Sequence, residues 1–211
     1  MVKAVLLALL ATAIFACAGV FEAAMQTQAA VDVAAAAQQA SSPELRERIL
    51  RSAATRLQGS WARPTQWNAD AAEALSAVHA LAGNAAGGEA AHYAESMRWA
   101  AHATQLGPVQ PRSWARLAEF SLMGASGAPC EPRVCLERSW AAAPLSDATF
   151  DCARLRLAHA ADASQPSRER IVWYLRSGVG PEDAAACLSF LPRTEVFQLM
   201  LLARTAEHQE P

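Results

Sequence analysis

The chain opens with an apolar run from Ala4 to Phe21, interrupted by no charge and flanked by Lys3. At the α-helical rise, a run of this length spans roughly 27 Å, close to the thickness of a bilayer core. Residues 22–42 are rich in Ala and Gln and hold no Gly, a pattern that predicts a helical stalk or linker continuing from the apolar run. "SSPEL" then marks a helix start: Ser42 as N-cap, Pro43 in the first turn, Glu44 near the positive end of the helix dipole. Leu45, Ile49, Ala53 and Leu57 recur every fourth residue as an apolar stripe, and Gly59 ends it.

The same period predicts a helix from Asn68 to Ala82, with Ala71, Leu75 and Val78 on one face. Another follows from Glu89 to Leu106, with Met97, Ala100, Ala101 and Thr104 on its stripe. Further helices are predicted over Pro111–Met123, Arg133–Ala143, Asp147–Ala160, Ser167–Ser177, Pro181–Phe190 and Thr194–Glu207. No segment sustains the period-two alternation of a half-buried strand. The reading is all-α: a transmembrane or signal helix at 1–21, the stalk at 22–42, a helical domain at 43–207 and a tail at 208–211.

Composition agrees. Hydrophobic residues make up 53% of the 211, aromatics only 7%, and much of the remainder is alanine, which favours closely packed helices. The net charge of −2 gives no pull toward nucleic acid or anionic lipid. Lys3 is the single lysine among the 18 basic residues, a usage that fits GC-rich coding better than phosphate recognition.

Lys3 beside the apolar run predicts that this end stays cytoplasmic and the rest is exported. Three fates of the run are open: a retained single-pass anchor in the inner membrane, a signal peptide cut after Ala16-Cys17-Ala18, or lipidation of Cys17, since "IFAC" resembles a lipobox in which Phe15 departs from the usual small or β-branched residue. Cys130, Cys135, Cys152 and Cys187 remain, an even number that suits disulfides in an exported chain. Pairing Cys130 with Cys135 and Cys152 with Cys187 is one of three connectivities. Buried reduced thiols are the alternative.

Chemistry-bearing motifs are absent. His79, His92, His102, His159 and His208 form no metal-binding pair by spacing. There is no Gly-x-Ser-x-Gly elbow and no phosphate-binding glycine loop. The expectation is a non-enzyme without metal or cofactor.

Prolines punctuate the helical series in a fixed phase. Pro108 precedes Trp114 by six residues, Pro144 precedes Phe150 by six, and Pro181 precedes Cys187 by six. In a tetratricopeptide unit the same offset separates the closing proline from the next unit's aromatic. Trp114, Leu117, Ala118 and Ser121 take the first-helix positions, and Ser96, Ala100 and Ala103 take the second-helix positions before Pro108. The chain therefore resembles a divergent tetratricopeptide-like array of about three helix pairs over residues 68–190, with a repeat core of Trp114, Leu117, Ala118 and Phe150. It departs at Ala80, where an aromatic is missing, and in units of 36 and 37 residues.

From Arg98 to Met200 the chain is similar to short membrane-anchored tetratricopeptide-like proteins of Gram-negative bacteria, through "HATQLGPVQPRSWARLAEFSL" and "CLERSWAAAPLSDATFDCARLRLA". That resemblance implies a periplasmic scaffold holding a protein partner in an envelope assembly, with a link to exopolysaccharide production. Candidate groove contacts are Arg98, Trp99, Arg116, Arg138 and Trp140, with Arg112 and Arg154 as further polar contacts. A sugar-binding or enzyme-accessory module using those tryptophans and arginines is the alternative, and a structural lipoprotein is a third reading.

Overall fold

A computed structural model describes residues 2–85, 87, 89–144, 146–161 and 165–207. The predicted tail at 208–211 lies outside them. Among the described residues there is no strand, and ten α-helices follow one another: α1 (Val2–Gln38), α2 (Pro43–Gly59), α3 (Ala69–Ala85), α4 (Ala90–Leu106), α5 (Pro111–Leu122), α6 (Pro132–Ala142), α7 (Ala148–Ala161), α8 (Gln165–Arg176), α9 (Pro181–Cys187) and α10 (Arg193–Glu207). Short 3-10 turns occupy Pro64–Gln66 and Leu188–Phe190. The first was not expected; the second closes the helix predicted to run on to Phe190.

Local chemistry sets several of the helix starts. The Ser42 hydroxyl accepts the Leu45 amide at 3.2 Å, so α2 is capped as its sequence predicts. Asn68 does the same for α3, its Oδ1 accepting from Asp70 and Ala71 at 2.9 and 3.1 Å. Proline opens α2, α5, α6 and α9, where a missing amide hydrogen costs nothing.

The chain divides into two compact units, the first ending at Ser113 and the second beginning at Trp114. In the first, α1 is long and apolar enough to span a membrane or to serve as a signal sequence. Its large apolar residues from Val5 to Phe21 are exposed. The segment expected as a separate stalk is instead part of the core. Ala23, Ala30 and Ala37, seven residues apart and so nearly on one helical face, are all buried. Ala30 and Ala37 share a core with Leu50, Ala53 and Leu57 of α2, Leu75 and Val78 of α3, and Trp99 and Ala103 of α4. Arg46 of α2 donates to the Ala37 carbonyl at 3.1 Å. Alanines are small enough to let α2 seat against α1 and bury the stripe.

Two other faces are rotated from expectation. On α2 the buried set is Leu50, Ala53, Ala54 and Leu57, with Leu45 and Ile49 at its edge. On α4 it is Ser96, Ala100 and Ala103, the second-helix positions read from the sequence, together with Trp99, rather than the Met97-centred stripe. The reason is α3. Ser76 donates to the Ser96 carbonyl at 2.7 Å and Ser96 returns a bond to the Ser76 carbonyl at 2.8 Å, which draws the two helices together through small side chains.

In the second unit, Trp114, Leu117 and Ala118 are buried, whereas Phe150 is only half-buried. The proline phase has one structural meaning twice. Pro108 and Pro144 lie in the loops before α5 and α7, with Trp114 and Phe150 near those helix starts. Pro181 and Cys187 are instead the first and last residues of α9, so the third offset does not repeat the first two.

Candidate functional site

The residues singled out in the sequence fall in different places. In the first unit, Trp99 is 9% exposed and belongs to the α1–α4 core, so it is not a solvent-facing groove contact. Arg98 lies over its ring at 4.4 Å and bonds Glu95 at 2.5 and 3.3 Å. That bond to Arg98 holds the Glu95 carboxyl below its ordinary range. Arg98 is thus tied into a surface ion pair one turn of helix long.

In the second unit, Arg138 of α6 covers the Trp114 ring at 4.7 Å, and Arg116 is half-buried on α5. Trp140 is 7% exposed, again buried instead of lining a groove. Its ring has two guanidiniums beside it, Arg170 at 5.1 Å and Arg154 at 5.5 Å. Arg154, expected as a further groove contact, is fully buried. It pairs with Asp151, donates to the Ser139 and Ala143 carbonyls at 3.1 and 2.7 Å, and stacks on Phe150 at 4.7 Å. Burial lowers the affinity of this guanidinium for its proton, and Asp151 opposes that. Asp151 also accepts the Ser146 amide at 3.0 Å. The pair therefore fastens the last carbonyls of α6 to the first turns of α7, a positioning role that Arg154's place in the sequence does not reveal.

Cysteine sulfurs are paired between Cys130 and Cys135 and between Cys152 and Cys187, with Cα atoms 5.8 and 5.4 Å apart. The first closes the loop before α6. The second ties α7 to α9. Cys17 is unpaired and exposed on α1.

Two clefts open in this unit. One, about 590 Å³, is lined by Thr149, Cys152 and Arg156 of α7, Tyr174 of α8, and Asp183 and Cys187 of α9. Burial, with the charges of Asp151 and Asp183, raises the Tyr174 phenol, so it stays a neutral hydrogen-bonding group. The other, about 520 Å³, lies between α8 and α10. Val172, Trp173 and Leu199 form its apolar part, and Arg168, Arg176 and Glu195 stand among its polar lining. Arg168 and Glu195 are joined at 3.0 Å.

Sequence spacing also missed a histidine pair. His79 on α3 and His92 on α4 bring their Nδ1 atoms to 3.4 Å, and His92 Nε2 lies 3.5 Å from Glu89. Burial pushes the His79 imidazole below its ordinary range. The register set by Ser76 against Ser96 places these rings opposite each other, a relation invisible to single-helix periodicity. Among the described residues, no three His, Cys, Asp or Glu side chains are grouped to hold a metal. No protein-family model, curated protein or solved structure matches the chain.

Proposed function

We propose that this chain is a non-catalytic, membrane-anchored scaffold whose helical part holds a protein partner in an envelope assembly. The observation that carries the reading is the C-terminal helix. α10 buries Leu199 and Ala203 on one face, yet leaves Phe197 69% and Leu201 54% exposed on another. A helix apolar on two sides, beside the α8–α10 cleft with its charged groups, suits an amphipathic helix or extended segment of a partner. Short consecutive helices and the equal placement of Pro108/Trp114 and Pro144/Phe150 support a tetratricopeptide-like origin of about three pairs. Paired cysteines and Lys3 before the apolar run support a periplasmic domain on an inner-membrane anchor. The assignment to exopolysaccharide production rests on sequence resemblance alone. The sugar-binding alternative relied on solvent-facing rings of Trp99 and Trp140, and both are buried.

The test is a photo-crosslinking amino acid in place of Phe197 in intact cells. The expected result is a discrete protein adduct that disappears with Leu201→Asp, while the same group in place of the exposed Arg51 of α2 yields none. No adduct from position 197, or equal adducts from both positions, overturns the scaffold reading.

A further inference from the structure

We propose that the loop from Ser60 to Trp67 is a bilayer-contact site: Trp61 and Trp67 lie at the membrane–water interface, so the first unit sits directly on the membrane surface. The inference rests on the reading of α1 as a retained membrane anchor and adds to it where the folded unit stands.

The level of the loop is set by α1. The apolar run ends at Phe21, and the next residue, Glu22, accepts a hydrogen bond from the Ser60 hydroxyl at 2.6 Å. Ala23 is already buried. No spacer therefore separates the apolar run from the folded unit, and the end of α2 is level with the first charged residue after it. Trp61 reaches past that level. Its ring meets Phe15 edge-on at 5.7 Å, and its Cη2 atom lies 3.9 Å from the place a side chain on Gly19 would fill. Phe15 is six residues inside the apolar run, roughly 9 Å along the helix. An indole alongside that segment lies beside residues that face lipid.

The chemistry of the loop fits the depth. Trp61 is 58% exposed and Trp67 45%, two large amphipathic rings in seven residues with no protein covering them fully. Indole, apolar in body and polar at its N–H, concentrates at membrane–water interfaces. Arg63, also exposed, adds a cation suited to lipid phosphate. The loop is held in shape: Trp67 Nε1 donates to the Ala62 carbonyl at 2.6 Å, Pro64 and Thr65 are buried beneath it, and Arg63 takes a left-handed backbone at φ 44°.

The full chain reconstituted in phosphatidylcholine vesicles tests this, with bromine on the acyl chains either near the headgroups or near the bilayer centre. Wild-type tryptophan emission is expected to be quenched more by the shallow bromines. Trp61→Phe combined with Trp67→Phe is expected to reduce that quenching at least ~twofold with helicity unchanged, since the two rings would be the ones at interfacial depth. Carbonate extraction of the same vesicles reports the anchor separately. A chain that resists extraction, yet whose wild-type emission ignores shallow bromines or whose quenching survives the double substitution, overturns the loop site and leaves the anchor standing. Release of the chain into the soluble fraction overturns both.

Discussion

Among the described residues, Arg154 carries the largest single commitment of charge to the interior. Its guanidinium is fully buried, paired with Asp151 and bonded to two carbonyls at the end of α6. Taking such a charge out of water is costly, so the arrangement holds only while every partner is present. Arg154→Ala leaves the Asp151 carboxylate buried and unpaired, and is expected to cost about 3–5 kcal/mol of stability. Adding Asp151→Ala to that variant is expected to recover part of the loss. Urea titration of the three variants checks both outcomes; equal midpoints for wild type and Arg154→Ala would refute the assignment. Nothing in "CARLRLA" separates Arg154 from Arg156, because what differs is the neighbours supplied by α6. The tryptophans follow the same logic. Trp99 and Trp140 are adjacent to small residues in the sequence, but burial makes them core, with arginines packed against their faces.

At the scale of elements, α1 does two jobs along one helix. Its first part is lipid-like in composition and exposed, and its second part contributes Ala23, Ala30 and Ala37 to a helical core. A solvated stalk would tolerate enlargement at any of these positions; a packed face would not. Ala30→Leu is expected to destabilise the first unit by about 1–3 kcal/mol through overpacking, whereas Ala36→Leu, on the exposed side, is expected to be near neutral. Thermal unfolding followed by circular dichroism distinguishes the two, and equal effects would return these residues to the status of a linker. The alanine content of this segment is plain in the sequence. Its periodic burial is not, since a stripe of alanines looks the same whether α2 packs on it or water does.

For the whole molecule, the apolar helix and the paired cysteines support the proposed reading of a membrane-held chain with its helical units in an oxidising space. Because α1 runs unbroken from the apolar segment into the core, retention is the outcome expected of the three open at Cys17. Intact mass of the protein from membrane extracts is expected to match the full chain with an unmodified Cys17. A product beginning after Ala18, or a lipid-sized increment on Cys17, would replace the anchor with a secreted or lipidated form.

What the sequence determined by itself is local. An all-helical chain, an apolar helix of membrane length, the Ser42 cap and the proline-opened helices all follow from backbone bonds that close within four residues and from the 3.6-residue period. The small set Ser96, Ala100 and Ala103 was legible too, because close helix contact selects small side chains wherever the partner comes from. The tertiary structure alone decided what lies opposite each face: α2 on the alanines of α1, His79 against His92, Asp151 around Arg154, and Trp61 against Phe15. Each of those is a meeting of segments set by packing between helices, and periodicity within one helix holds no record of its neighbour.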